Sequence, residues 1–118
     1  MTIHASLASI TLDCASPKVM AEFYREVTGW KIAHLDDDSA YLGEGPIQLA
    51  FQRVEGYQGP GWPDTGKHAH LDFTVADVPA ETERLRTLGA TTPDFQPGQG
   101  QWTVLADPEG HLFCLAAA

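Results

Sequence analysis

Two histidines and an aspartate alternate at the start of a strand-like segment, KHAHLDFTV, which covers residues 67–75. Side chains two residues apart on a β-strand point to the same face, so His68, His70 and Asp72 would project together. Imidazole and carboxylate groups at this spacing suit metal binding, proton transfer or hydrogen bonding to a ligand. Which of these three roles the side chains have depends on the strands and helices that surround them.

Composition limits the classes of function. The chain has 118 residues, 43% of them hydrophobic, and a formal net charge of −9. This length suits one ordinary domain whose core needs no disulfide or structural metal. The acidic balance argues against nucleic-acid binding, and no apolar run approaches the ~20 residues of a membrane helix. Since no secretory signal is visible, we expect a cytoplasmic protein in which Cys14 and Cys114 are reduced thiols.

Apolar periodicity predicts the series strand, helix, strand, strand, strand in each half of the chain. In the first half, Ser16 and Pro17 are suited to begin the helix and Gly29 to end it. The predicted strands of this half are 5–14, 30–35, 40–42 and 47–52. In the second half, Asp77 begins the helix and Gly89 ends it. The predicted strands there are 68–76, 90–95, 102–106 and 111–116.

The two halves form an internal repeat, because Ser9 superposes on His70 and Gly29 on Gly89. A segment rich in glycine and proline, 55–67, separates them and is predicted to be a linker. We therefore expect one domain over residues 1–118, made of module one (1–54), the linker (55–67) and module two (68–118).

This βαβββ duplication, with HLDFTVADV after the linker and VLADPEGHLFCL near the end, resembles the vicinal oxygen chelate superfamily. That superfamily includes glyoxalase I, extradiol dioxygenases and bleomycin-resistance proteins. The resemblance covers nearly the whole chain. It implies an α+β fold in which two tandem βαβββ modules form a curved mixed sheet around a cleft, with the helices on the outside.

The resemblance also locates four positions at which the metal-dependent members bind their ion. Here they are Ser9, Gln48, His70 and Cys114. Neutral serine and glutamine are poor ligands for Mn, Fe, Ni or Zn, and no glutamate remains, so we expect no metal and no other cofactor. His70 and a Cys114 thiolate would hold a soft metal only weakly. His68 is expected to satisfy local hydrogen bonds or to flank the cleft.

Strand parity places His70 opposite the apolar residues Leu71, Phe73 and Val75, so we expect it to face the cleft and to hydrogen-bond a ligand. Asp72 lies on the same face. It is either a base beside His70 or, as we favour, a hydrogen-bonding or solvated carboxylate. Cys114, in an apolar strand, is more readily an inert thiol than a nucleophile. The matching polar positions of module one are Ser9, Thr11 and Asp13.

Aromatic residues offer stacking surfaces for a flat ligand. Trp62, on the linker, has little reason to be there for core packing and is predicted to act as a flap, assisted by Tyr57. Tyr41 and Trp102 are further candidates, and parity leaves the face of Trp102 open. Trp30, directly after the first helix, is expected to lie in the core.

These features favour a binding protein over an enzyme. A metal-free cleft lined by aromatic residues suits stoichiometric capture of a flat aromatic or enediyne-like natural product, or of a cationic glycopeptide attracted by the acidic surface. The resemblance to the bleomycin-resistance branch implies sequestration of an antibiotic by a homodimer with shared clefts. The alternative is a lyase, isomerase or dioxygenase, either with an altered metal-ligand set or metal-free with His70 and Asp72. No residue is predicted to be catalytic, and the predicted ligand-binding residues are His70, Gln48, Trp62, Trp102, Tyr41, Thr11, Ser9, Asp72, Cys114 and Tyr57.

Overall fold

A computed structural model describes residues 6–59 and 69–118, and within these ranges the chain forms seven strands and two helices. In chain order they are β1 (Ser9–Cys14), α1 (Pro17–Thr28), β2 (Ile32–Leu35), β3 (Ser39–Leu42), β4 (Gln48–Arg53), β5 (Leu71–Val75), α2 (Val78–Thr87), β6 (Trp102–Ala106) and β7 (Leu112–Ala117). Neither helix of the described part is long and apolar enough to cross a membrane.

The chain divides into two units, Met1–Tyr57 and Gln58–Ala118. The division falls inside the segment predicted to be a linker, 55–67. The predicted flap residue Trp62 and the histidine His68 lie outside the described residues.

The first unit is a four-stranded sheet in the order β1-β4-β3-β2, in which β1 and β4 are parallel and the other pairs antiparallel. Helix α1 begins as predicted, because the Ser16 hydroxyl accepts a hydrogen bond from the Val19 N–H at 3.3 Å. It ends as predicted at Gly29, whose φ of 73° places it in the left-handed region that favours glycine.

The core of the first unit lies between α1 and its sheet. Tyr24 of α1 stacks on Phe51 of β4 with the ring centroids 5.5 Å apart, and both residues are fully buried. Successive residues of a strand face opposite sides of the sheet. Since Phe51 faces α1, its neighbours Ala50 and Gln52 face away from the helix. Residues of β1 and β3 that are paired with Gln48, Ala50 or Gln52 of β4 face the same side of the sheet as their partners. The face turned away from α1 therefore bears Ser9, Thr11, Asp13, Ser39, Tyr41, Gln48 and Gln52.

The second unit is a three-stranded sheet in the order β5-β7-β6, in which β5 and β7 are parallel and β6 and β7 antiparallel. Helix α2 begins at the predicted cap, where the Asp77 carboxylate accepts a hydrogen bond from the Ala80 N–H at 3.0 Å. Gly89, predicted to end it, follows the cap residue Leu88 and has a φ of 110°. The fully buried side chains of this unit include Leu85, Leu105, Phe113 and Leu115.

The strand predicted over 90–95 is wrong. The structure has a single bridge there, between Thr91 and Ala106, with backbone hydrogen bonds of 2.8 and 2.9 Å. Pro93 follows within two residues, and a proline has no N–H to donate to a β-ladder. The pairing therefore stops after one residue.

The side chain of Gln96 takes the place of the missing strand at the edge of β6. Its Nε2 donates to the carbonyl oxygens of Val104 and Pro93, each at 2.9 Å, and its Oε1 accepts from the Val104 N–H at 2.8 Å. The amide thus supplies the donor and the acceptor that a neighbouring backbone would offer.

A buried acid–histidine pair closes the turn between β6 and β7. The Asp107 carboxylate is 2% exposed and accepts from the N–H groups of Glu109 and His111 at 2.8 and 3.1 Å. Its second oxygen contacts His111 Nδ1 at 2.7 Å. These contacts hold the DPEG segment in the turn predicted from its sequence.

Candidate functional site

A pocket of about 540 Å³ lies on one face of the second sheet. We call this the pocket face. All three strands of the sheet contribute to it, and a single proline joins them from the segment before β6. The lining residues are His70, Asp72, Phe73, Thr74, Pro97, Trp102, Val104, Leu112, Cys114 and Ala116.

Alternation along β5 determines which side chains reach the pocket face. Asp72 and Thr74 are exposed there, and His70 precedes the strand in the same parity. Between them, Phe73 packs edge-on against the buried Phe113 with ring centroids 5.9 Å apart. The strand parity predicted for His70 and Asp72 is therefore confirmed.

His70 and Asp72 are in contact, with Nε2 3.2 Å from Oδ1. Their side chains are 40% and 74% exposed, so solvent screens this contact and it contributes little to stability. Cys114 lies directly opposite Asp72 in the parallel register of β5 and β7. One donor atom from each of these three residues lies within 4.8 Å of the other two.

The pocket floor is apolar. Val104, Leu112 and Ala106 form a buried cluster, and the half-buried Cys114 packs against it. A floor of this kind favours contact with an apolar ligand surface, while the polar groups at its β5 side supply hydrogen bonds.

Trp102 forms a wall of the pocket, and it lies opposite Ala116 in the register of β6 and β7. Its indole is 40% exposed and rests against Gly98. A Cβ added at Gly98 would collide with the Trp102 carbonyl oxygen and stand 2.7 Å from indole Cδ2. The absence of a side chain at Gly98 therefore lets the loop pack closely on the ring. Strand parity did not predict which face Trp102 occupies, and the structure places it on the pocket face.

Apart from Trp62, which lies outside the described residues, the other predicted site residues belong to the first unit. Ser9, Thr11, Gln48 and Tyr41 share the face turned away from α1. Tyr41 is 40% exposed and its ring lies 5.3 Å from that of His34. The side-chain amide of Gln48 donates to the Gly43 carbonyl at 3.0 Å. Tyr57, half-buried after β4, donates its backbone N–H to the Val54 carbonyl.

Trp30, expected in the core, is 43% exposed instead. It lines a second pocket, also of about 540 Å³, with residues of the β3–β4 turn such as Pro46 and Ile47. A Cβ at Gly43 would lie 2.9 Å from Trp30 Cε3, so this glycine allows the ring to approach the turn. Trp30 follows Gly29, the residue with positive φ that ends α1, and so lies beyond the helix that packs on the sheet.

The four-ligand set of the metal-dependent superfamily members does not fit these residues. In the first unit, Ser9 lies opposite Gln48, and neither offers an imidazole or an anionic oxygen. In the second unit, Cys114 lies opposite Asp72, two residues beyond His70. The predicted repeat superposes Ser9 on His70 and not on Asp72. The facing pair Ser9 and Gln48 is therefore not equivalent to the facing pair Asp72 and Cys114. No metal-dependent step follows from this set.

Sequence reasoning missed six residues that line the pocket: Phe73, Thr74, Pro97, Val104, Leu112 and Ala116. It also missed Gln96, which holds the segment next to the pocket. Thr74 could have been predicted, because it lies two residues after Asp72 on the same face of the strand. Gln96 had no local signal, because its partner, the backbone of Val104, lies eight residues away in the sequence.

The fold is that of an α+β protein of the glyoxalase class. The sequence profile of the glyoxalase-like domain matches residues 9–116, and the chain belongs to this family. The predicted membership of the vicinal oxygen chelate superfamily and the predicted α+β fold are confirmed. Comparison with functionally curated proteins finds none that matches this sequence.

Solved structures share the fold at low sequence identity. A glyoxalase/bleomycin resistance protein/dioxygenase family enzyme from Burkholderia phytofirmans PsJN is 18% identical, with a TM-score of 0.74, over 96% of this chain and 98% of that chain. The fosfomycin resistance protein FosX from Mesorhizobium loti is 18% identical, with a TM-score of 0.68, over 99% and 94%. The bleomycin-binding protein from Streptomyces verticillus, solved with copper(II)-bleomycin, is 20% identical, with a TM-score of 0.61, over 99% of both chains.

Proposed function

We propose that this protein binds a bulky, flat, largely apolar small molecule, such as an aromatic natural product or antibiotic, and sequesters it without chemical change. Sequestration of this kind would confer resistance on the cell. The observation that carries the proposal is the pocket on the second sheet, which combines an apolar floor with the Trp102 indole on one side and polar groups on the other.

Each part of the pocket has a role in binding such a ligand. The flat body packs on Val104 and Leu112 and stacks on Trp102, since aromatic pairs are worth about 0.5–1.5 kcal/mol beyond their buried area. His70 and Asp72 hydrogen-bond polar substituents at the ligand edge. The volume of about 540 Å³ lies within the usual range of small-molecule sites, roughly 300–1,000 Å³.

Two further features belong to the proposal. The protein acts in the cytoplasm, and it does so as a homodimer whose clefts are shared between two chains. The bleomycin-binding protein with the same fold supports a binding role for this scaffold, and the formal charge of −9 suits a cationic ligand such as a glycopeptide. Light scattering of the purified protein tests the dimer, and a monomeric mass contradicts it.

Titration of the tryptophan fluorescence with a panel of aromatic antibiotics tests the binding role. We expect one ligand to bind with a Kd below about 1 μM, or −8 kcal/mol, and to be recovered unchanged. Trp102→Ala should raise the Kd about tenfold. Trp30→Ala is the matched control, because Trp30 is 43% exposed against 40% for Trp102 but lies in the other unit. Equal effects of the two substitutions would contradict the assigned pocket.

A second candidate is an enzyme of the same superfamily, a lyase, isomerase or dioxygenase. The contact between His70 Nε2 and Asp72 Oδ1 favours a metal-free version, because such a pair can take up and return a proton. Mass spectrometry of the bound compound separates the two candidates. Conversion of the ligand that is lost in His70→Gln would establish the enzyme and refute sequestration.

A further inference from the structure

We propose that His70, Asp72 and Cys114 bind a thiophilic divalent cation, with Zn²⁺ as the best match, on the pocket face of the second sheet. A bound ion would engage His70 and Asp72 in place of their hydrogen bonds to an organic ligand, so this inference goes beyond the proposed function. It also revises the expectation that the chain holds no metal, because Asp72 adds a third donor to His70 and Cys114. The proposed site shares His70 and Cys114 with the four superfamily positions. It differs from the superfamily arrangement in two respects. All three ligands come from one module, and an aspartate within β5 supplies the carboxylate.

The sheet places the three side chains together. His70 and Asp72 are two residues apart in one strand, and Cys114 faces Asp72 across the β5–β7 ladder. Their donor atoms lie within 4.8 Å of one another. Ligand atoms around a tetrahedral zinc ion are separated by about 3–4 Å, since Zn–S is about 2.3 Å and Zn–N about 2.0 Å. The upper bound of 4.8 Å exceeds this range by about 1 Å, so the donor atoms lie close to the spacing that a bound ion requires.

The donor types select the ion. Thiolate, imidazole and carboxylate are the three zinc ligands of proteins, whereas Mg²⁺ and Ca²⁺ prefer sets made of oxygen. Three protein ligands leave a fourth tetrahedral position, and the pocket lies on this side of the sheet. Two anionic ligands, Asp72 and the Cys114 thiolate, balance the charge of a divalent cation. A neutral complex is compatible with the apolar cluster on which Cys114 packs.

The first unit contains a natural comparison. His34 and Asp36 have the same spacing, and their side chains are in contact at 2.8 Å. Cys14, the cysteine of that unit, is fully buried and its thiol contacts the Gln52 carbonyl at 3.5 Å. Across residues 6–59 and 69–118, only His70, Asp72 and Cys114 form a group of three such donors. The thiol therefore distinguishes the proposed site from an ordinary histidine–aspartate pair.

Cobalt(II) titration of the full-length protein, stripped of metal by a chelator, tests the site. We expect one equivalent of Co²⁺ to produce a thiolate-to-cobalt charge-transfer band that Zn²⁺ abolishes by displacement. Cys114→Ser should remove the band, while Cys14→Ser, which keeps a hydroxyl next to the Gln52 carbonyl, should retain it. Absence of the band from the wild type, or its survival in Cys114→Ser, would overturn the proposal.

Zinc affinity measured by competition with a chromophoric chelator tests the other two ligands. His70→Ala and Asp72→Asn should each weaken binding by more than tenfold, because even outer partners of metal ligands are worth about 10- to 100-fold in affinity. His34→Ala is the matched control and should leave the affinity unchanged. An unchanged affinity in Asp72→Asn would overturn the three-ligand assignment. Thermal unfolding of each metal-free variant verifies that it is folded.

Discussion

Replacing Gln96 by alanine removes the side chain that closes the outer edge of β6. Three hydrogen bonds are lost, two to the carbonyl oxygens of Val104 and Pro93 and one from the Val104 N–H, all at 2.8–2.9 Å. Val104 is 1% exposed and belongs to the pocket floor, so the substitution tests whether this side chain stabilises the sheet under the pocket.

The expected loss follows from these contacts. An intramolecular hydrogen bond is worth a net 0.5–1.5 kcal/mol, roughly, and a buried backbone group left unpaired costs about 1–3 kcal/mol. The bonds of Gln96 are only partly buried, so water replaces some of them. We therefore expect the free energy of unfolding to fall by about 2 kcal/mol. For a chain of this length that corresponds to a decrease in Tm of about 8 °C.

Urea unfolding followed by circular dichroism measures this loss, and amide hydrogen exchange at Val104 locates it. Gln101→Ala is the control, because Gln101 lies exposed in the same connecting segment and its backbone N–H, which the substitution keeps, donates to the Gly98 carbonyl. It should change stability by less than about 0.5 kcal/mol. If Gln96→Ala changes stability as little as Gln101→Ala, the Gln96 side chain does not replace a strand.

Two further predictions concern charged groups. Asp107→Ala should lower the free energy of unfolding by about 3 kcal/mol in urea titrations, because it leaves two N–H groups and the His111 ring without their acceptor; a loss below 1 kcal/mol would contradict this role. The N–H groups of Asp38 and Ser39, and then His34, hold the pKa of Asp36 below 3.8. This group therefore stabilises the fold above pH 3.8 and loses its contribution as the pH falls through the lowered pKa. NMR titration should show that pKa, and a value at or above 3.8 would refute it.

Local rules predicted most of the secondary structure. Both helix starts follow from side chains that bond N–H groups three residues on, and Gly29 and Gly89 mark the helix ends by their positive φ. These interactions involve residues close in sequence. The exception is 90–95, where apolar alternation predicted a strand that Pro93 interrupts after the Thr91 bridge.

The candidate site was predictable in part. Parity alone placed His70 and Asp72 on one face, but it did not reveal which residue faces Cys114 or where Trp102 points. Both depend on the register between strands, which arises from contacts between distant residues. The exposure of Trp30 could not be predicted for the same reason, because it depends on contact between its ring and the β3–β4 turn at Gly43.

The sequence by itself determined the order of the elements, their caps, the repeat and the two faces of each strand, because hydrogen bonds and periodicities within a few residues govern all of these. Tertiary structure decided the partners across the sheet. Pairing of β5 with β7 brings Asp72 and the Cys114 thiol together from positions far apart in the chain. The segment that contains Gln96 and Gly98 packs on β6 and contacts the Trp102 ring, which forms one wall of the pocket. The site therefore depends on strand register, which no single stretch of residues encodes.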